Sequence, residues 1–425
     1  MKGPDRPAGL GGYRFMLYSH DGFGLGHFRR NLIIAETLVE RCPRASVLMA
    51  CAAEGLDTFS LRQGIDLLRL PGLRKLANGS YGGRRLPLGT SEIADLRSAL
   101  LTAAVANFRP HVLVVDKHPL GLGDELREAL VMQRRVNGRA AFGLRDVLDD
   151  PRATGREWHE GNFAHHVAEL YQRVLVYGSP DFLNPLSEGL LAGDAARAVR
   201  FCGYVVPPAT ADAVQTDLPR RTGRPLVLAT VGGGEDGAPI LELFLAASAG
   251  ADWQGIVVAG PQMSQTDWHG LESRAQRAGV SAYRAVPNVA RWYRHADAAL
   301  TMGGYNSLLE AVTSGTPTVV VPRVRPRLEQ MIRARAFADR RLLTLVGPDP
   351  VTAPMLAAGI RAALATDRSQ LRARISATLD LGGAQRAAGE IAALAAEVDY
   401  SDRHWATKDA DQDRDRAVEL ASARA

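Results

Sequence analysis

The sequence predicts two tandem doubly wound, Rossmann-like α/β domains facing each other across a cleft, and three observations carry that reading. Short apolar, β-branched runs alternate with helix-period segments over most of the chain. That alternation is the pattern of parallel sheets covered on both faces. It breaks once, at the proline-rich, aperiodic stretch PPATADAVQTDLPRRTGRP after Val206, and then resumes. Finally, 425 residues exceed what a single hydrophobic core organises.

Taken in order, residues 1–12 (MKGPDRPAGLGG) hold no apolar core of a secretory signal and are expected to be disordered. The first domain runs over 13–206. Its strand candidates are YRFMLYSH (from Tyr13), ASVLMACA (Ala45), IDLLRLPG (Ile65), HVLVVDKHP (His111), RAAFGL (Arg139), RVLVYGS (Arg173) and RFCGYVV (Arg200). Between the first two lies HFRRNLIIAETLVERC, in which Leu32, Ile33, Ala35, Leu38 and Val39 form an apolar helical face. Residues 207–224 read as the linker. The second domain, 225–399, restarts with PLVLATVGGG (Pro225), WQGIVVAG (Trp253), ADAALTMGG (Ala296), PTVVVPR (Pro317) and LLTLVG (Leu342). Residues 400–425 are charged, nearly lack periodic apolar residues, and are expected to be disordered.

Composition narrows the function. Net charge is +5, and only four of the 51 basic residues are lysine (Lys2, Lys75, Lys117, Lys408). A basic surface of this kind suits a phosphorylated substrate or an anionic membrane. No aromatic-interleaved basic stripe or nucleic-acid motif is present, so no nucleic-acid partner is expected. Cys42, Cys51 and Cys202 lack metal spacing and read as free thiols of a reducing compartment. No apolar run reaches the roughly 18 residues that span a bilayer. The expected location is the cytoplasm, with peripheral contact to the inner face of the membrane as a further option.

The loop HDGFGLGHFRR (His20–Arg30) follows the first strand and opens the first helix, at a crevice where doubly wound sheets bind ligands. A dinucleotide fingerprint needs a third glycine, yet counting from Gly22 that position is His27, and from Gly24 it is Arg29. Glu54, thirty residues past Gly24, is a poor ribose-binding acid, so a nicotinamide site is disfavoured. Gly24 and Gly26 instead let the loop turn tightly and present His27 at a helix start. There an imidazole either takes a proton from a substrate hydroxyl or caps the helix. Arg29 and Arg30 either meet an anionic acceptor or lie on solvated helix surface.

A histidine base needs an orienting carboxylate. Asp116 ends the fourth strand of the first domain at the same crevice, where it either fixes the His27 tautomer or caps the next turn. His118 is a rival base two residues further on. GLRDVLDDP supplies Arg145, Asp146, Asp149 and Asp150, which either bind acceptor hydroxyls or form a solvated turn.

The second domain carries a more specific block, NVARWYRHADAALTMGGYNSLLEAVTSGTPTVVVPR. A buried strand ends at Gly303-Gly304 and a helix is expected to begin around Asn306–Ser307. Amides and dipole at such a helix start suit a diphosphate. Ser307 either adds a hydroxyl to that site or caps the helix. Glu310, expected on the first turn, is placed to accept hydrogen bonds from two vicinal ribose hydroxyls.

The pattern Gly303-Gly304-x-Asn306-Ser307-x-x-Glu310-Ala311-x-x-x-Gly315-x-Pro317, followed by VVVPR and Gln330, resembles the donor half of GT-B glycosyltransferases. It is most similar to the MurG type, which transfers N-acetylglucosamine to a lipid-linked acceptor. The resemblance covers both domains in layout, from about Tyr13 to Val398. It implies that Glu310 holds the ribose of a UDP-sugar, and that Gly303, Gly304, Asn306 and Ser307 lie at the diphosphate. It also implies Gln330 near the sugar, Pro287 and Asn288 (within VPNV) bordering the base, and Gly232, Gly233 and Gly234 under the phosphates. His27 falls at the family's catalytic histidine and Asp116 at its orienting aspartate. Acceptor contacts are expected at Gly24, Gly26, Arg29, Arg145 and Asp146, for a small-molecule or lipid-linked acceptor. Two segments depart from the family: Arg29–Arg30 stand where it has small or apolar residues, and VPRVRPRLEQ replaces its acidic or amide-rich run.

No cofactor is expected, because the nucleotide sugar is a co-substrate. Metal use is not expected either, since Asp-x-Asp occurs only within Asp409–Asp415, in the tail. The expected chemistry is therefore an inverting, metal-independent sugar transfer with His27 as base. Two alternatives stay open: a nucleotide-sugar 2-epimerase, and a nucleotide-sugar-binding protein without catalysis.

Overall fold

A computed structural model of the chain describes residues 12–20, 25–56, 59–75, 81–187, 189–207, 218–286, 288–347 and 350–398. The regions expected to be disordered, 1–12 and 400–425, lie outside these residues except for Gly12. The linker expected at 207–224 is described only at 207 and 218–224.

The first sheet has seven parallel strands in the order β3-β2-β1-β6-β7-β8-β9. They are β1 (Arg14–Tyr18), β2 (Ser46–Cys51), β3 (Ile65–Arg69), β6 (Val112–Asp116), β7 (Arg139–Arg145), β8 (Arg173–Tyr177) and β9 (Val199–Phe201). A small antiparallel hairpin, β4 (Leu73–Lys75) with β5 (Tyr81–Gly83), interrupts the alternation. The second parallel sheet runs β12-β11-β10-β13-β14-β15. Its strands are β10 (Leu226–Thr230), β11 (Gln254–Val258), β12 (Ser281–Tyr283), β13 (Ala298–Thr301), β14 (Thr318–Val320) and β15 (Thr344–Leu345). Each strand expected from an apolar run is present. The hairpin and β12 were not foreseen, because three-residue strands such as LRK, YGG and SAY carry no measurable period.

Helices fill the connections. In the first domain these are α1 (Gly26–Arg41), α2 (Thr90–Phe108), α3 (Arg127–Arg135), α4 (Pro151–Glu160), α5 (Phe163–Leu170) and α6 (Gly193–Arg197). The later ones are α7 (Ala238–Ser248), α8 (Gln265–Arg277), α9 (Val289–His295), α10 (Tyr305–Thr313), α11 (Glu329–Asp339), α12 (Ala353–Leu364), α13 (Arg368–Thr378) and α14 (Gly383–Ala396). No helix among the described residues is long and apolar enough to cross a membrane.

Two details correct the sequence expectation. On α1 the fully buried aliphatics include Ile34, while Ile33 and Val39 are only partly covered. The helix is gripped from two sides, by β2 and by α14, which turns its buried face. And α14, expected within a second domain ending at 399, packs instead on α1, β6, β7 and β8 of the first sheet. Ala384, Ala387, Ala388, Ile391 and Leu394 are buried there, and the Gly383 amide donates to Tyr204 O at 3.1 Å. A parallel sheet needs cover on both faces, and the amphipathic last helix supplies it in the first domain.

Strand order locates the ligand crevices. In the first sheet the connection reverses between β1 and β6, and in the second between β10 and β13. The crevice of such a sheet lies at the carboxyl ends of those strands. The described residues there are His20, Leu25 and Gly26 with Asp116–Lys117, and Gly232–Gly234 with Gly303–Gly304.

Candidate active site

His27 is the second residue of α1 and is nearly buried, and its Nδ1 lies 2.7 Å from Asp116 Oδ2 at the end of β6. A carboxylate oxygen only accepts, so Nδ1 carries the proton and Nε2 is the basic atom. Burial pushes the imidazolium down to about 4, against the opposing pull of Asp116. Asp116 is 0% exposed. Burial would raise its carboxyl, but Arg30 and then His27 hold it at about 2. Arg30 donates to the same Oδ2 and lies 3.0 Å from His27 Nδ1. His20 and His118 sit nearby, their ring centroids 4.5 Å apart, and His118 faces Glu157 at 3.6 Å. Burial pushes His118 down to about 4 as well.

The second domain builds the facing wall. The end of β13 turns at Gly303 with φ 81°, where only glycine is relaxed, and Gly304 caps α10 with open space where a side chain would stand. The helix begins at Tyr305, earlier than expected, so Ser307 lies inside it and Glu310 on its second turn. Gly232 and Gly234, with φ 68° and 96°, wrap the end of β10. A Cβ on Gly232 would stand 3.3 Å from Ser307 Oγ, and one on Gly234 would strike Ala259 O. Gln330 is buried and its Oε1 accepts from the Arg323 amide at 3.1 Å. Asn288 opens α9 in a left-handed conformation, φ 49°. Pro287 and Gly24 lie outside the described residues.

The two walls touch. Asn306 Nδ2 donates to Gly26 O at 2.8 Å, which sets the start of α10 against the start of α1. Arg29 reaches across to Glu310 Oε1, while Glu310 Oε2 is buried without a partner. Glu310 is 4% exposed; burial raises its carboxyl and Arg29 opposes the rise.

Several expected acceptor contacts are taken up elsewhere. Arg29 binds Glu310 and is not turned to an acceptor. Asp146 pairs with Arg333 of α11 at 2.7 Å, both 0% exposed, so no hydroxyl reaches it. Arg145 pairs with Glu329 at 2.6 Å. Asp149 accepts from the Leu328 amide at 2.7 Å, and Asp150 caps α4 by accepting from Arg152 and Ala153. The acidic cluster of the first domain and VPRVRPRLEQ of the second thus meet as an interdomain clasp, extended by Arg327 on Glu157 at 3.1 Å. Of the expected acceptor residues described, only Gly26 remains at the His27 side of the cleft. Sequence reasoning left undecided what Arg30 does, and it missed Tyr177, Tyr305 and Arg333 altogether. Buried tyrosines and arginines carry no spacing signal that would separate them from core or surface.

No family model matches the chain. A UDP-N-acetylglucosamine–N-acetylmuramyl-(pentapeptide) pyrophosphoryl-undecaprenol N-acetylglucosamine transferase of Nitratidesulfovibrio vulgaris is 26% identical over 384 residues, spanning 88% of this chain and 93% of its own. The transferase of the same name from Magnetococcus marinus is 26% identical over 322 residues, 73% of this chain and 77% of its own. Among solved structures, a Polygonum tinctorium UDP-glucosyltransferase superposes with TM-score 0.64 at 16% identity, covering 92% of this chain and 100% of its own. The glycotransferase of kitacinnamycin gives 0.61 at 18%, covering 91% and 100%. The chain has the two-domain GT-B fold of these glycosyltransferases. In this chain the two switch-point crevices face one another, with His27 and Asp116 on one wall and Gly303–Glu310 on the other.

Proposed function

We propose that this glycosyltransferase moves a sugar from a UDP-sugar to an acceptor hydroxyl by one inverting displacement, without a metal, using His27 as the base. The observation that carries the reading is the His27–Asp116 pair at 2.7 Å on one wall, opposite the α10 start that Asn306 ties to Gly26. His27 Nε2 takes the acceptor hydroxyl proton. The acceptor oxygen forms its bond to the anomeric carbon as the bond from that carbon to the diphosphate oxygen breaks. Asp116 stabilises the imidazolium formed.

The leaving diphosphate is held by the amides and dipole at Gly303–Ser307. The open space at Gly304 supports this, as backbone can approach phosphate there. The unpartnered Glu310 Oε2 supports a ribose hydroxyl as its donor. Asn288 borders the base, and Gln330 lies toward the sugar. Metal independence is supported by the amides and dipole at the start of α10, which supply positive charge to the leaving diphosphate. The MurG-type relatives support a lipid-linked acceptor met at a membrane surface, and the arginine-rich composition is compatible with that contact.

Titration with nucleotides and nucleotide sugars tests the donor site, with preference for UDP expected. His27→Ala should abolish transfer and leave UDP binding intact; retained turnover would remove His27 from the chemistry. Turnover of UDP-sugar alone to an epimer would replace the transfer reading with an epimerase.

A further inference from the structure

Arg30 is one turn beyond His27 on α1, so both side chains face the same way. Its residue is 1% exposed, among the most deeply buried charges in the molecule. The guanidinium donates to Asp116 Oδ2, the oxygen that also receives His27 Nδ1–H. It lies 4.9 Å from the ring centroid of Tyr177 at the end of β8, and 5.4 Å from that of Tyr305 at the start of α10. Arg30 therefore ties the base pair of the first domain to an aromatic ring supplied by the second.

That ring is itself fixed. Tyr305 Oη donates to Tyr177 O at 3.0 Å and accepts from the Val205 amide at 3.1 Å. Arg333 lies 5.6 Å from the same ring centroid and donates to Gly303 O at 3.1 Å. A continuous set of contacts thus runs from the Gly303 turn through Arg333, Tyr305 and Arg30 to Asp116 and His27. Every contact in it is buried.

We propose that Arg30 is a positioning residue: it anchors Asp116 so that His27 is held as a base, and it does so only while the donor domain stacks Tyr305 against it. The proposal rests on the reading of His27 as the base. A planar guanidinium suits the task, since it bonds a carboxylate at its edge while its face meets aromatic rings. An ammonium or a neutral side chain cannot do both. Sugar transfer is thereby coupled to seating of the donor domain, which keeps His27 from acting as a base when that domain is displaced.

The charged and titratable groups around His27 and Arg30 are Asp116 on β6, Arg145 on β7, Tyr177 on β8, Tyr305 on α10, Glu329 on α11 and His20 after β1. Removing Arg30 strips a cation from beside the imidazole while Asp116 and Glu329 remain. The acid limb of kcat/KM then moves upward.

The test measures kcat, KM, the pH profile of kcat/KM and UDP affinity in the full chain, for Arg30→Met, Arg30→Lys, Tyr305→Leu and the Arg30→Met/Tyr305→Leu double variant. Arg30→Met is expected to lower kcat about 100-fold, raise the acid limb by about one pH unit, and leave UDP affinity unchanged. Tyr305→Leu should lower kcat at least about ten-fold, yet add little in the Arg30→Met background, because the two act through one contact. If Arg30→Met does not fold, Arg30→Lys is used: it keeps the charge, so its acid limb is expected to stay in place. It is read by its kcat, which should fall about ten-fold because an ammonium cannot both bond Asp116 and stack on Tyr305. Unchanged kcat and an unmoved acid limb in a folded Arg30 variant would overturn the proposal, as would fully additive losses. His27→Ala is run alongside: if it retains turnover, the base assignment fails, whereas loss there with normal Arg30 variants fails this proposal alone.

Discussion

At the scale of single residues, the burial of His27 sets how the enzyme responds to acid. Its imidazole titrates at about 4 in the folded chain against an ordinary 6.5. The imidazole is therefore neutral through the mildly acidic range, and on the proposal that His27 is the base kcat/KM is expected to stay level there and fall only as pH approaches 4. A limb near 6.5 in a pH–rate profile would contradict the buried geometry. Stability moves in the same sense. Between those two values the unfolded chain binds a proton that the folded chain does not, so stability rises with pH across the window. Glu310 is the other decisive residue. Glu310→Gln is expected to weaken UDP binding about ten-fold or more by calorimetry, as a charged acceptor is lost. Arg29 shares that carboxylate. Arg29→Met should therefore tighten UDP binding several-fold; weaker binding would mean that Arg29 serves the nucleotide directly.

Elements explain why the glycines differ. Gly234 has φ 96°, and a Cβ there would stand 2.2 Å from Ala259 O, on the loop after β11. Gly234→Ala is expected to cost more than about 2 kcal/mol in chemical denaturation, through strain and a clash with rigid backbone. Gly304 has ordinary dihedrals, φ −60° and ψ 143°, and faces open space. Gly304→Ala should cost under about 1 kcal/mol as a poorer helix cap, but reduce UDP affinity by crowding the approach to the α10 amides. The two together separate a glycine required by packing from one required by a ligand. Both ended strands in the sequence and looked alike there. Only the approach of β10 to β11 distinguishes them.

Across the whole molecule, the domains are held by charges that found distant partners. Asp146 and Arg333 are both fully buried, 187 residues apart, and join the end of β7 to α11. Asp146→Asn leaves Arg333 buried without its counter-ion, and a loss of about 3–5 kcal/mol is expected in thermal or denaturant unfolding. By contrast Arg173 meets Glu397, the residue that caps α14, at 2.8 Å with Glu397 half exposed, and its removal should cost under about 1 kcal/mol. α14 itself is retained on the first sheet by buried alanines, Ile391 and Leu394. The chain thus crosses between the domains at the linker and again before this last helix.

The sequence by itself determined the two-sheet architecture and the strands that lie in long apolar runs, and it offered Asp116 as one of two readings beside His27, which the fold then brought together. Apolar periodicity, glycines at strand ends and the rule of the switch-point crevice are local signals, readable within a few residues. What only the tertiary structure decided is where the charges go. Arg29, Arg30, Arg145 and Asp146 looked like an acceptor surface, yet they are spent on Glu310, Asp116, Glu329 and Arg333. A charged side chain has no period, and its partner is whichever opposite charge the ends of the two sheets bring alongside. In HDGFGLGHFRR the last two arginines therefore face Glu310 and the His27–Asp116 pair, because two helix starts meet there.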